Sequence, residues 1–352
     1  MGNDPSAIIF VSNGPGELAT WVKPLAHELH QQIDLRPKII KSSISLNLAL
    51  VPCPNATGKE SLAAEKWFQF EKIIKAKNFW ELLFRPNAFN SWPSNGLVIF
   101  LGGDQFWSVL LSARLGYSHM TYAEWIARWP FWNDRILAMS DNIVNKLPKR
   151  IQHRCSVIGD LTADLTETAK IDDPLPSGKW IALMPGSKKA KLKIGVPFFL
   201  DVADQISKLK PDCKFLLPLA PTTNVDELKY FGSSENPIAH HYKSRIKLIE
   251  KSKIGGTKRI LLTNKSTVIL IQETHPAYSD LSQCDLALTT VGANTAELGS
   301  LSIPMIVVIP TQHILEMEAW DGLIGLLARL PILKWCIGLL ISFIKLKKRG
   351  YM

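Results

Sequence analysis

The stretch Cys284–Pro310, CDLALTTVGANTAELGSLSIPMIVVIP, constrains this chain most. It reads as strand, glycine turn, short helix, strand. Leu286, Ala287 and Leu288 form a short apolar run, and Thr290–Asn294 is small and turn-like. Thr295–Leu301 can wind a brief helix, and Ile303–Ile309 is almost wholly apolar. Apolar strands around a helix are the pattern of a parallel sheet covered on both faces. A glycine turn that opens a helix presents backbone N–H groups and a positive dipole end, which suits a phosphate. Glu297 is expected in the first turn of that helix, either near a nucleotide sugar or simply complementing the dipole.

The same unit occurs elsewhere. Ala7–Ser12 reads as a buried first strand, Asn13–Glu17 as a turn, and Leu18, Val22, Leu25, Ala26 and Leu29 recur at helical spacing, with a kink or late start expected at Pro24. Gly14 and Gly16 in that turn are a weak signal, since the turn is not a GxGxxG fingerprint. Ser43–Val51 and Leu97–Leu101 read as strands, and Ser61–Phe84 as helical. Asp104, just past Gly102-Gly103, lies where parallel sheets place their ligands, or else caps the next helix. Trp125, Trp129 and Trp132 suit stacking on sugar rings, or a core or interface role.

In the second half, Trp180–Met184 is a strand followed by Pro185-Gly186-Ser187-Lys188, with a helix expected over Pro197–Leu209. Ser187 and the turn amides suit a pyrophosphate, with Lys188, Lys189, Lys191 and Lys193 either balancing its charge or forming a solvated basic face. Lys214–Leu219 is the next strand. Gly232–Gly256 reads as a long polar loop, and Arg259–Thr263 with Thr267–Gln272 as a hairpin or two edge strands.

At 352 residues the chain is expected to hold two domains, 1–170 and 178–312, followed by a tail, 313–352. The net charge of +10 points to an anionic partner. No nucleic-acid module accompanies the lysines, so nucleic acid is not expected. The cysteines lack CxxC spacing, which argues against a zinc site or a disulfide framework and fits a reducing compartment. No signal peptide is read at the N-terminus. In the tail, the apolar run Ile332–Ile344 includes Trp335 and Phe343 and precedes Lys345, Lys347, Lys348 and Arg349. The run is short of the roughly 20 apolar residues of a bilayer span. It suits an anionic membrane surface, or else a core helix.

Taken in order, these motifs resemble the lipid-A-disaccharide synthase family, inverting glycosyltransferases of the GT-B fold. The resemblance rests on Gly14–Leu29, Gly102–Phe106, Thr121–Trp125, Val157–Asp164, Met184–Ser187 and Gly292–Glu297. Lys188 stands where the family has Arg, Asp160 where it has His, and Val291 and Ala293 where the donor loop has hydroxyl residues. The chain stops before the family's donor-side segment and closing helix, which suggests a divergent, C-terminally short, synthase-related branch.

The resemblance implies an α/β chain of GT-B type, two Rossmann-like domains facing a central cleft. It implies a hexosyltransferase that moves a sugar from a UDP-sugar to a lipid-linked or amphipathic acceptor, with no metal and no cofactor beyond the UDP-sugar substrate. Asp104 would be the general base, with Glu17 second. Pro185, Gly186, Ser187 and Lys188 would approach the diphosphate, Gly292, Asn294 and Thr295 would add donors, and Glu297 would grip the ribose. Gly14, Gly16 and Trp125 would line the substrate site. The protein would be cytoplasmic and peripherally membrane-associated. The alternative is an inactive or truncated GT-B binding protein at the membrane.

Overall fold

The computed structural model describes residues 6–36, 44–53, 58–68, 70–163, 165, 174–251 and 258–309. The expected membrane-interface tail, 313–352, lies outside them. The chain divides into two compact units. The first holds the residues up to Gly14 together with Val22–Gly159, and the second holds Pro15–Trp21 with the described residues from Asp160 onward.

The first unit is built on seven strands: β1 (Ser6–Ser12), β2 (Ile44–Leu50), β3 (Lys72–Ile74), β4 (Asn95–Phe100), β5 (Ser118–Ala123), β6 (Arg135–Ala138) and β7 (Cys155–Val157). Their order is β3-β2-β1-β4-β5-β6-β7, and every ladder is parallel. Ile9, Val11 and Val98 from the strands pack with Phe79, Leu82, Trp107 and Leu111 from the helices Phe79–Phe84 and Gln105–Leu115. The order reverses between β1 and β4, the topological switch where open α/β sheets bind ligands.

Two expectations change here. The Ser61–Phe84 segment is not one helical region but helix Glu60–Trp67, strand β3 and helix Phe79–Phe84. Ile73 and Ile74 are β-branched and pair with Leu48 and Ala49, so tertiary pairing overrides the helical pattern around them. After the first glycine turn the chain winds a wider helix over Leu18–Val22 and then an α-helix over Lys23–Asp34. Pro24 falls in the first turn of that α-helix, where no N–H is needed, so the proline marks a start.

The second unit also has seven strands: β8 (Lys179–Met184), β9 (Cys213–Pro218), β10 (Ile246–Lys251), β11 (Arg259–Thr263), β12 (Val268–Gln272), β13 (Leu286–Thr290) and β14 (Met305–Val308). The order is β10-β11-β12-β9-β8-β13-β14, with β10-β11-β12 antiparallel and the rest parallel. Strand β8 shows why both faces are covered. Ile181 and Leu183 belong to a core with Val196, Phe199 and Leu200, while Trp180, Ala182 and Met184 belong to another with Tyr278, Leu281 and Leu298. That is the period-2 alternation of a strand apolar on both sides. The switch point lies between β8 and β13.

The expected loop Gly232–Gly256 contains the edge strand β10. Its charges, such as Lys247 and Glu250, are what edge strands carry to block further pairing, and they masked it as a loop. The helix expected from Pro197 begins eight residues earlier and runs Lys189–Leu209 with Pro197 inside it. A proline there leaves the carbonyl four residues back without its N–H. That carbonyl, of Lys193, accepts instead from Asn236 Nδ2 at 2.8 Å, and the fully buried Asn236 also donates to Phe231 O.

Candidate functional site

In the second unit two turns meet at the switch point. The turn Pro185-Gly186-Ser187 leaves β8 and opens helix Lys189–Leu209. Gly186 has φ +104°, a conformation open to glycine, and a Cβ there would lie 3.0 Å from Lys191 Cδ and 3.3 Å from Thr290 Oγ1. The turn Val291-Gly292 leaves β13 and opens helix Ala293–Ser300. Neither Lys188 nor Gly292, which precede the two helices, caps its helix with a side chain. No capping side chain therefore covers the start of either helix, and in the second only Thr295 N is taken up locally, donating to Gly292 O at 3.0 Å.

Lys191 joins the two turns. Its ammonium donates to the carbonyl of Val291, and it lies 3.0 Å from where a Cβ on Gly292 would stand. Thr290 Oγ1 lies 3.5 Å from Pro185 O and braces them further. The Thr295 hydroxyl is spent locally, donating to Gly292 O at 2.8 Å, so it acts within the turn. Asn294 Nδ2 approaches Thr289 Oγ1 at 3.5 Å.

Glu297 stands in the second turn of its helix, past the first-turn position expected, where the dipole effect has faded. It accepts a hydrogen bond from the buried Tyr278 hydroxyl at 3.1 Å. Burial pushes its carboxyl up to about 7; the Tyr278 hydrogen bond works against that shift and the nearby charge of Glu17 adds to it. Burial and Glu297 in turn raise the Tyr278 phenol. A groove is lined by Gly16, Pro185, Gly186, Ser187, Asn294 and Glu297, together with His275, the cis-Pro276 and Tyr278. Gly16 lies so close to Ala293 that a Cβ on it would stand 2.8 Å away.

The first unit holds Gly14, Asp104 and Trp125. Gly103 has φ +92° and lies against Asn13, whose Cγ would be 3.1 Å from a Cβ on it. Both readings of Asp104 hold at once. It sits past the end of β4, and its Oδ1 caps helix Gln105–Leu115 by accepting from Phe106 N at 3.0 Å. Its Oδ2 lies 3.8 Å from Arg128 Nη1. Asn13 and Ser12, at the end of β1, are buried, and neither Asn13 Oδ1 nor Ser12 Oγ has a hydrogen-bond partner among the described residues. Trp125 is 72% exposed, so it is not a core residue.

Six of the expected residues, Gly16, Pro185, Gly186, Ser187, Asn294 and Glu297, therefore share one groove, and Gly14, Asp104 and Trp125 lie in the other unit. Asn13 in the first unit and His275 and Tyr278 in the second were given no site role from sequence, and Lys191 was only one of four lysines set against a pyrophosphate. Lys191 stood among four turn lysines with nothing to mark it. Tyr278 comes to Glu297 only through packing.

No family model matches the chain. A lipid-A-disaccharide synthase of Anaeromyxobacter dehalogenans is 27% identical over 128 residues, which is 36% of this chain and 26% of that protein. Lipid-A-disaccharide synthase 1 of Legionella pneumophila is 30% identical over 66 residues, 19% of this chain and 16% of that protein. The matched stretches thus span about a quarter or less of those relatives. Among solved structures, S. aureus MnaA in its co-structure with UDP superposes with a TM-score of 0.53 at 12% identity, over 87% of this chain and 80% of that one. The UDP-GlcNAc 2-epimerase of Neisseria meningitidis bound to UDP-GlcNAc gives 0.50 at 13% identity, over 87% and 83%. The fold is GT-B. Each of its two Rossmann-like domains carries a switch point with its own set of side chains.

Proposed function

We propose that this chain is a glycosyltransferase that moves a sugar from a UDP-sugar to a lipid-linked or amphipathic acceptor with inversion at the transferred carbon. The observation that carries the reading is the pair of uncapped helix starts beside the Gly186 and Gly292 turns, bridged by Lys191 and bordered by Glu297. Open N–H groups and an ammonium suit a diphosphate. A carboxylate held by Tyr278 suits the paired hydroxyls of a ribose. The partial matches to lipid-A-disaccharide synthases and the UDP-bound neighbours of the same fold support the donor and the acceptor class.

In this reading the second unit holds the donor. Gly186, Ser187, Lys188 and Lys191 neutralise the diphosphate and stabilise the leaving UDP without a metal. Asp104 takes the proton of the acceptor hydroxyl in the first unit, and Glu17 is the second candidate. The protein works at the cytoplasmic membrane surface as a peripheral enzyme. Among the described residues no helix is long and apolar enough to cross a membrane.

The test is calorimetric titration with a panel of nucleotide sugars and UDP. UDP and at least one UDP-sugar bind the parent, and Glu297→Ala weakens UDP by about 1.5–3 kcal/mol, the range for a hydrogen bond to a charged group. Equal affinity in variant and parent removes Glu297 from the donor site. Failure of every nucleotide to bind removes the function.

A further inference from the structure

We propose that the loop from Glu124 to Trp132 is a membrane-docking surface that seats the first unit on an anionic bilayer. Trp125, Ile126, Trp129, Phe131 and Trp132 are 72%, 51%, 42%, 46% and 60% exposed. Five large apolar side chains exposed within one eight-residue loop are a concentration of the kind that marks an interaction site, whereas single exposed hydrophobics are ordinary.

The loop is held in this presentation. The buried Gln105 donates to Ile126 O at 2.8 Å and accepts from Arg128 N. Asn133, fully buried, donates to Trp129 O at 3.1 Å, and Arg154 donates to Asn133 O at 3.1 Å. Ala127 is packed inward with Ile136 and Ile143 while its neighbours point out. Trp129 has φ +55°, costly for a bulky residue and kept only where surroundings over-determine it. Its ring stands 6.0 Å from Trp132 and 5.8 Å from Phe106. A fixed backbone with outward aromatics pre-organises the surface for its partner.

Charge and composition select a bilayer. From Glu124 to Arg154 the chain carries Arg128, Arg135, Lys146, Lys149, Arg150 and Arg154 against Glu124, Asp134 and Asp141. The Asp134 carboxylate already accepts from His119 N at 2.8 Å. Arg150 lies 4.5 Å over the ring of Phe131. Tryptophans followed in sequence by arginine and lysine, with Arg150 over Phe131, match the headgroup level, where an aromatic ring meets acyl chains and a cation meets phosphate. Arg128 reaches from this loop to Asp104, so a lipid-tailed acceptor held in the bilayer would present its headgroup beside the proposed base. The proposal rests on the lipid-linked acceptor reading, but its test needs no turnover.

The full chain is sedimented with phosphatidylcholine vesicles with and without phosphatidylglycerol. Trp125→Ser/Trp132→Ser lowers partitioning onto the anionic vesicles by about tenfold or more, and Trp125→Phe/Trp132→Phe keeps most of it. Lys149→Gln/Arg150→Gln removes part of the phosphatidylglycerol dependence and leaves the residual binding. The tail variant Trp335→Ser/Phe343→Ser separates the two surfaces. Loss in that variant, with the loop serine variant binding like the parent, overturns the loop and keeps a membrane enzyme. A parent that ignores both vesicles overturns both. Hydrogen exchange of the parent, with and without vesicles, reads the claim without any substitution: slowed exchange across residues 124–132 supports it, and unchanged exchange there overturns it.

Discussion

The two switch points share a topology and differ in what they collect. At β8/β13 the chain ends its strands in glycine turns, leaves two helix starts uncapped by side chains, and spans them with Lys191. At β1/β4 the helix start is capped by Asp104, and Asn13 Oδ1 and Ser12 Oγ have no hydrogen-bond partner among the described residues. One site gathers N–H groups and a cation and is suited to phosphate. The other gathers oxygen acceptors and is suited to a hydroxyl whose proton must leave. The full strand orders of the two sheets differ, but each reverses beside its first strand, and the two reversals collect groups of opposite electrostatic character.

That contrast is most exposed to Asp104→Asn. Asparagine keeps the cap but cannot take a proton, so turnover falls about 10²- to 10⁴-fold while UDP affinity and melting temperature stay near the parent's. Near-normal turnover in a steady-state assay would move the base to Glu17.

Lys191→Ala is the counterpart in the other unit. Loss of a charge-assisted contact weakens UDP binding by about 1.5–3 kcal/mol in calorimetry. Uridine, which has no phosphate, loses much less. If both ligands lose equally, Lys191 is a brace between the two turns and the phosphate assignment is wrong.

The smallest effect concerns Glu297 and pH. Its carboxyl titrates at about 7 in the fold, against an ordinary value of 4.5. Between those values the folded state keeps a proton the unfolded chain has released, so stability falls as pH rises through the window, and the full cost is present above it. Glu297→Gln carries no such cost. In thermal melts without ligand the variant should gain a few degrees over the parent above about pH 7, and that gain should shrink toward about pH 5. A difference that does not change with pH would show an ordinary, ionised carboxylate and weaken the contrast between the two sites.

Local patterns carried much of this. The apolar runs of β1, β4, β8 and β13 and the glycine turns after β8 and β13 were readable because buried parallel strands are apolar on both faces and turns need particular residues. Strand β3 was not, because three residues paired to β2 outweigh a helical neighbourhood only once β2 is in place. Strand β10 was not, because an edge strand looks polar. Trp125, Trp129 and Trp132 were visible, but their exposure was not, since composition does not tell a core tryptophan from a surface one.

By itself the sequence determined the repeated strand, turn and helix units, the glycines at the Gly186 and Gly292 turns, and the position of Asp104 past a strand end. These follow from short-range sterics and hydrophobic periodicity. Only the tertiary structure decided that helix Lys189–Leu209 runs through Pro197, because the donor that rescues the Lys193 carbonyl, Asn236, lies 43 residues away. Only it brought Tyr278 to Glu297, 19 residues on, and Lys191 to Val291, 100 residues on. Hydrogen bonds across such separations are set by how the elements pack, so no local pattern encodes them.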